Sequence, residues 1–127
     1  MRTREDIERL EKLMGQLRGL HHEVGALAKK SPKDAVNAFK LKLINEVIAG
    51  ANAILGERYL PFPGFAAFDP DDVPSCSDVA LVLAQYMEEA ERLRSDSIVR
   101  SGGFWFYKLG DGGISDVQTT QPSRMDR

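Results

Sequence analysis

Apolar side chains in the first thirty residues recur every three or four positions, which places them on one face of an α-helix. The members of this stripe are Ile7, Leu10, Leu13, Met14, Leu17, Leu20, Val24, Leu27 and Ala28. Thr3 followed by Asp6 is a capping pattern, since each side chain can accept a hydrogen bond from a first-turn N–H. We therefore predict a helix over Arg4–Lys29. Three glycines lie inside it, which indicates either a bend or a closely approaching neighbour.

A second helical pattern, from about residue 32 to residue 55, is apolar on more than one side. Phe39, Leu43, Val47 and Ile54 share one side, and Leu41, Ile44, Ile48 and Leu55 share another. Ser31 and Pro32 predict its start, because proline at the first helical position lacks only an N–H that has no helical partner. Gly56 predicts its end. A helix that is apolar on several sides is normally central, so we expect a loop or a second copy of the chain to cover it.

A third helical pattern begins after Ser75 and extends to about Val99, and its second half is highly charged. Glu91 and the neighbouring acids are interpreted as a solvated face. The chain then alternates apolar and polar positions through "FWFYKLGDGGISDVQTT", residues 104–120, which predicts a β-hairpin with a glycine-rich turn. A two-stranded hairpin is marginal in water, so we expect it to pack on the helices or to pair with another chain.

The stretch "PFPGFAAFDPDDVPSCSD", residues 61–78, differs from the helical segments on either side of it. A connection of this length inside a compact domain is often functional. The spacing of Asp69, Asp71 and Asp72 superficially suggests a cation-binding loop, but Ala80 stands where an EF-hand loop would need its closing glutamate. A turn that precedes the third helix is therefore the favoured interpretation of these aspartates.

Together these patterns predict a mainly α protein: a three-helix bundle with a long aromatic loop between helices 2 and 3 and a short C-terminal β-hairpin. Residues 1–120 are expected to form a single helical domain, with residues 121–127 as a flexible tail. A chain of 127 residues with 43% hydrophobic and 28% charged residues is ordinary for one soluble globular domain. It has no apolar run of membrane-spanning length, and the lone cysteine, Cys76, is consistent with a reducing cytoplasm.

The aromatic residues cluster in the long loop and in the predicted hairpin, and both segments are candidate contact surfaces. Aromatic side chains with few neighbouring charges are typical of buried contact patches. Two asparagines lie in an apolar seam of the second helix, where an unsatisfied amide costs about 1–3 kcal/mol. They are interpreted as setting register or bonding within the core, with a ligand pocket as the open alternative. The predicted interface residues are Phe62, Phe65, Phe68, Trp105, Asn45 and Asn52.

A small-molecule or metal-binding pocket is the alternative functional hypothesis. The side chains that would line it are His21, Tyr59, Asp69, Asp71 and Asp72. His21 lies at the edge of the apolar stripe of the first helix, and its favoured interpretation is a partly buried structural histidine. The sequence contains no recognised metal-ligand, phosphate-binding or nucleophile motif. We therefore expect no bound metal, no cofactor and no catalytic residue.

The charge is distributed unevenly along the chain, although the net charge is only −2. Residues 1–56 hold ten basic and seven acidic side chains, whereas residues 57–99 hold three and nine. This asymmetry favours self-association over nucleic-acid binding, which usually requires a strongly basic domain. We predict a non-enzymatic protein-interaction or regulatory module that acts as a homo-oligomer such as a homodimer, with a further protein partner allowed and no membrane contact. Nucleic-acid binding, through Lys29, Lys30, Lys33, Lys40 and Lys42, is the least favoured hypothesis.

Overall fold

The computed structural model describes residues 3–123 and contains three α-helices followed by a three-stranded antiparallel sheet. The elements are α1 (Arg4–Lys30), α2 (Ala38–Tyr59), α3 (Cys76–Asp96), β1 (Ile98–Ser101), β2 (Phe104–Lys108) and β3 (Ile114–Thr119). A single 3₁₀ turn, Pro70–Asp72, precedes α3. The predicted mainly α class is confirmed. Of the predicted tail, residues 124–127 lie outside the described residues.

The first helix has the cap that its sequence predicts. The Thr3 hydroxyl accepts from the Asp6 N–H at 3.1 Å, and the Asp6 carboxylate accepts from the Thr3 N–H at 3.2 Å. α1 continues without interruption through all three of its glycines, and a Cβ added at any of them would meet no atom within 4 Å. Close approach of a neighbour therefore does not explain these glycines.

The predicted start of α2 at Pro32 is wrong. Ser31 instead ends α1, where its N–H donates to the Leu27 carbonyl at 2.8 Å. The true N-cap of α2 is Asn37, whose side chain accepts from the Lys40 N–H at 2.8 Å. Asparagine is as good an N-cap as serine, so a favourable local signal was present at both positions and tertiary pairing selected the later one.

That tertiary pairing joins residues 32–36 to the chain just ahead of α3. Ala35 and Ser75 form an isolated antiparallel bridge, and the Cys76 N–H donates to the Asp34 carbonyl at 2.8 Å. Extended backbone that pairs in this way cannot also be helical. The pairing therefore delays α2 and sets the beginnings of α2 and α3 side by side.

The helix directions follow from contacts at both ends. The Tyr59 hydroxyl donates to the Asp96 carboxylate at 2.6 Å, so α2 and α3 also end side by side and are parallel. Lys40, early in α2, pairs with Glu23, late in α1, at 2.7 Å, so α1 is antiparallel to both. Two consecutive parallel helices need a connection that returns along their length, which accounts for the long segment 60–75.

The core lies among the three helices and beneath the sheet. Its fully buried large side chains are Ile7, Leu10, Leu17, Val24, Leu41, Ile44, Ile48, Val79, Leu83, Tyr86 and Tyr107. α1 contacts α3 more extensively than it contacts α2, so α2 is the least enclosed of the three helices. Within residues 3–123, no helix has both the length and the apolarity needed to cross a bilayer.

The predicted hairpin is one half of the sheet. Helix α3 ends at Asp96 rather than at about Val99, and β1 then pairs with β2 as β2 pairs with β3. Gly102 and Gly103 form the first turn with φ of 59° and 85°. Two consecutive positive φ values are typical of a tight type I′ hairpin turn. β1 was not predicted from the sequence, because its four residues continue the helical pattern of α3.

Gly56 lies inside α2 rather than after it, with φ of 65° and ψ of 180° that bend the helix before its last turn. An L-residue in this region costs about 1–3 kcal/mol. Gly25 in α1 has ordinary helical geometry and free space around it, where alanine gains about 0.5–1 kcal/mol. We predict that Gly56→Ala destabilises the protein and Gly25→Ala stabilises it, as measured by urea unfolding. Equal shifts in the two variants would contradict the bend.

Candidate functional site

Two asparagines of α2 hold the chain that leads from α2 to α3, residues 60–75, which we call the crossover segment. The Asn45 amide accepts from the Phe68 N–H at 2.8 Å and donates to the Phe68 carbonyl at 3.0 Å. The Asn52 amide donates to the Phe65 carbonyl at 3.0 Å. One face of the helix therefore binds the main chain of the crossover segment in the manner of a neighbouring strand.

The spacing of these contacts matches helix and strand geometry. Asn45 and Asn52 are seven residues apart, or about 10.5 Å along a helix that rises 1.5 Å per residue. Phe65 and Phe68 are three residues apart, or about 10 Å along an extended chain. The crossover segment runs antiparallel to α2 in this register. The Tyr86 hydroxyl donates to the Asn52 carbonyl oxygen at 2.6 Å and joins α3 to the same network.

The phenylalanines of the crossover segment fill the space between α2 and α3. The Phe65 ring contacts Phe62 and Phe68 edge-on, with centroids 6.4 and 5.1 Å apart, and the Phe62 ring contacts Tyr86 at 6.5 Å. All three rings are half-buried against the core, as is Trp105 on the inner face of the sheet. Their role in an interface between chains stays a prediction.

Tyr59 lies at the end of α2 in a polar setting. Two guanidinium groups lie over its ring, Arg58 at 5.4 Å and Arg92 at 5.6 Å from the ring centroid. Burial and the hydrogen bond to Asp96 raise the pKa of the Tyr59 hydroxyl. These contacts tie the last turn of α2 to α3, and they leave the phenol protonated at neutral pH.

The other proposed pocket residues lie elsewhere. The carboxylate of Asp69 accepts from the Asp71 N–H at 2.9 Å and caps the 3₁₀ turn, where Asp72 is also exposed. Asp69 follows Phe68, whose N–H is bonded to Asn45. Asn45 lies fourteen residues before Tyr59, or about 21 Å along the helix. His21 is half-buried on α1. Within residues 3–123, no group of three or more His, Cys, Asp or Glu side chains could hold a metal ion.

An open groove of about 880 Å³ lies between α1 and α2, on a different face of α2 from the two asparagines. Its lining combines small residues (Gly15, Gly19, Gly50, Ala53), apolar walls (Leu13, Leu20, Leu43, Val47, Ile54) and polar residues (Asp6, Arg9, Lys12, Gln16, Glu46). Because a Cβ at any of the three glycines would meet nothing within 4 Å, the small residues leave the groove wide.

Two large apolar side chains continue this groove along α2. Phe39 is 71% exposed and Leu43 is 40% exposed. They share a helical face with Val47 and Ile54, as the apolar spacing predicts. The expected cover over this face of the second helix does not come from the described part of this chain. Phe39 therefore presents an uncovered ring next to an uncovered groove.

A second distinctive surface surrounds Arg94, whose side chain is only 6% exposed. Its guanidinium donates to both carboxylate oxygens of Glu91 at 2.7 and 2.9 Å. It also donates to the Thr119 hydroxyl at 2.8 Å and to the carbonyls of Thr120 and Gln121 at 2.9 and 3.0 Å. All five N–H groups of the guanidinium thus have acceptors. Residues 119–123, which we call the C-terminal segment, are held to α3 by this side chain.

Glu91 completes the attachment of the C-terminal segment. Its carboxylate accepts from the Ser123 hydroxyl at 2.8 Å, from the Ser123 N–H at 3.2 Å and from the Ser95 hydroxyl at 2.9 Å. Burial would raise the pKa of Glu91, but the hydrogen bonds from Arg94, Ser123 and Ser95 outweigh it and lower the pKa to about 2. The interpretation of Glu91 as a solvated residue is wrong: its side chain is only 17% exposed, and one of its partners, Ser123, is 32 residues away in the sequence.

Tyr107 lies beside this cluster and is fully buried. Its hydroxyl makes no hydrogen bond to the described residues. Burial, followed by the nearby carboxylate of Glu11, raises the pKa of this phenol. Neither Tyr107, which stays protonated, nor Glu91, which stays ionised, is poised for proton transfer near neutral pH. The cluster is better suited to holding chain segments than to acid–base chemistry.

The importance of the asparagine contacts can be measured with Asn45→Ala. This change removes two hydrogen bonds and leaves the Phe68 main chain without its partner, so we expect a loss of about 2 kcal/mol in the free energy of unfolding. Urea unfolding followed by circular dichroism measures it. The control Gln85→Ala alters an exposed residue of α3 and is expected to change stability by less than about 0.5 kcal/mol. A comparable small loss for Asn45→Ala would show that the hydrogen bonds from Asn45 are not needed to hold the crossover segment.

The Glu91 cluster predicts a pH dependence of stability. The pKa of Glu91 is lowered from 4.5 to about 2 in the folded chain, so its contribution is complete above about pH 4.5 and is lost as the pH falls toward 2. That contribution is at most about 3 kcal/mol. We expect Glu91→Gln to be less stable than the natural chain at pH 6, with the difference shrinking toward pH 2 in denaturant titrations. A difference independent of pH would refute the assignment, and the exposed variant Glu57→Gln serves as the control.

The open surfaces are thus of two kinds: an apolar groove beside an exposed ring, and a polar cluster that binds main-chain groups. Neither arranges a nucleophile beside a base among the residues described, and the polar cluster holds a segment of the same chain. No protein-family model, curated protein or solved structure matches this chain.

Proposed function

We propose that the protein is a non-enzymatic interaction module that acts as a homo-oligomer through the α1–α2 groove. The observation that carries the proposal is the 71% exposure of Phe39 beside a groove of about 880 Å³. A large exposed apolar patch rimmed by polar residues is typical of a protein contact site. Covering Phe39 and Leu43 would remove the largest uncovered apolar area of α2 from water.

A second copy of the chain suits this surface because the surface has both a projecting apolar side chain and a groove that can receive one. Phe39 projects from the same helical face that lines the groove, and Gly15, Gly19 and Gly50 leave free space in its lining. A two-fold axis makes each copy donate and receive the same side chain. Phe39 of each copy would then enter the groove of the other, where the absent side chains leave room for a ring.

The charges of the groove support the same arrangement. Two basic side chains, Arg9 and Lys12, and one acid, Asp6, line it from α1, and Glu46 lines it from α2. A two-fold packing that sets α1 of one copy against α2 of the other would bring the net positive α1 side toward Glu46, and such complementarity favours the matching register. The contribution of each exposed pair is small, so the charges orient the contact and the apolar groove supplies its stability.

The proposal keeps two finer expectations. Phe62, Phe65, Phe68, Trp105, Asn45 and Asn52 stay predicted interface residues in addition to the groove. The four aromatic rings are only half-buried against the core of their own chain, which leaves part of each ring for a partner. A cytoplasmic location is also part of the proposal. It is supported by Cys76, which is buried and free because the chain has no second cysteine with which it could form a disulfide.

Light scattering across a dilution series tests the proposal. We expect twice the chain mass at high concentration and dissociation on dilution. Phe39→Glu would place a charge in the contact and weaken the dimer by at least about tenfold. Leu81→Glu is the matched control, because Leu81 is 60% exposed on α3 and lies outside the groove lining. A monomer at every concentration, or equal dissociation of both variants, would reject the groove as the contact surface.

A further inference from the structure

Three of the five hydrogen bonds that the Glu91–Arg94 pair makes to the C-terminal segment go to main-chain groups, and the other two go to the hydroxyls of Thr119 and Ser123. Arg94 donates to the carbonyls of Thr120 and Gln121, and Glu91 accepts from the N–H of Ser123. Every peptide offers these groups, so contacts of this kind bind an extended chain with little regard to its sequence. The acceptor and the donor are both held in place, since the two side chains bond to each other and are largely buried.

A cleft of about 610 Å³ lies along this attachment and stays open with the segment in place. Its apolar surface on the helical side comes from the half-buried Met14 and Met87, with Leu17 and Ala90 fully buried. The charged side chains on the same side are Glu11, Arg18, Glu91 and Arg94. The segment itself reads Thr-Thr-Gln-Pro-Ser and carries no large apolar side chain. The main-chain contacts are therefore satisfied, while the two methionines receive no large apolar side chain from the segment.

We propose that the Glu91–Arg94 pair and the adjoining cleft at Met14 and Met87 form a binding site for an extended peptide that carries an apolar side chain, and that the C-terminal segment occupies this site in cis. Main-chain contacts position the peptide, and its apolar side chain enters the cleft between α1 and α3. The two methionines suit this role, because an unbranched thioether adapts to side chains of different shape. This site is separate from the α1–α2 groove and does not depend on it.

Because the C-terminal segment occupies the site in cis, it competes with any incoming peptide for the Glu91–Arg94 pair. An incoming peptide binds only when the C-terminal segment is released, so its apparent affinity falls in proportion to the released fraction. Weakening the segment while leaving the site intact must therefore strengthen peptide binding. Ser123→Ala does this, since it removes the hydroxyl that bonds Glu91 at 2.8 Å and changes no residue of α3.

The test uses the full chain with labelled methionine methyl groups and two peptides, acetylated Thr-Thr-Leu-Pro-Ser amide and acetylated Thr-Thr-Gln-Pro-Ser amide. We expect saturable shifts of the Met14 and Met87 methyl signals with the leucine peptide at an affinity at least about fivefold above that of the glutamine peptide. In Ser123→Ala the leucine peptide should bind about fivefold more tightly than in the natural chain. Thr119→Val, which removes the hydroxyl that accepts from Arg94, is a second variant with the same expectation.

Controls separate this proposal from that of the groove. Ser101→Ala changes an exposed serine of β1 outside the cleft and should leave peptide binding as in the natural chain. Phe39→Glu should also bind the leucine peptide normally, whatever its oligomeric state. Absence of saturable methyl shifts in a folded Ser123→Ala variant would overturn the proposal. Equal affinity for the two peptides would overturn the assignment of the cleft to an apolar side chain.

Discussion

The pairing of Asn45 and Asn52 with the main chain of the crossover segment is the contact on which the architecture depends. Consecutive parallel helices leave a connection that must travel back along their full length, and its polar backbone groups need partners wherever they are covered. The two asparagines supply partners at the interval that an extended chain requires. Because these backbone groups have hydrogen-bond partners, the phenylalanines of the crossover segment can pack between α2 and α3. The segment therefore contributes to the core as the three helices do.

This arrangement also explains why one face of α2 is left open. A helix that is apolar on several sides must be covered on each of them, and here α3 and the crossover segment cover two. The third faces the groove toward α1, where small residues replace large ones and Phe39 stands uncovered. The exposed surface is thus a consequence of how the chain distributes its covering segments.

Local signals predicted the parts of the structure that local contacts determine. The structure confirms the capping box at Thr3, the long apolar stripe of α1 and the start of α3 at Ser75. The spacing of Asn45 and Asn52 in the sequence also indicated that both lie in one apolar seam of α2. The errors have non-local causes: pairing near Ala35 delays α2, and distant residues bury Glu91. The groove was not predicted, because the apolar pattern of α2 does not indicate which of its faces the crossover segment will cover.

The bridge between Ala35 and Ser75 bears on how the chain reaches this structure. The two residues are forty positions apart, and parallel helices such as α2 and α3 cannot assemble by the simple folding back of neighbours. Closing such a loop loses chain entropy before the contacts inside it are gained, and chains rich in distant contacts fold more slowly than local helical hairpins. For a mainly helical domain of this size, we therefore expect the connection between its helices, more than the helices themselves, to limit the rate of folding.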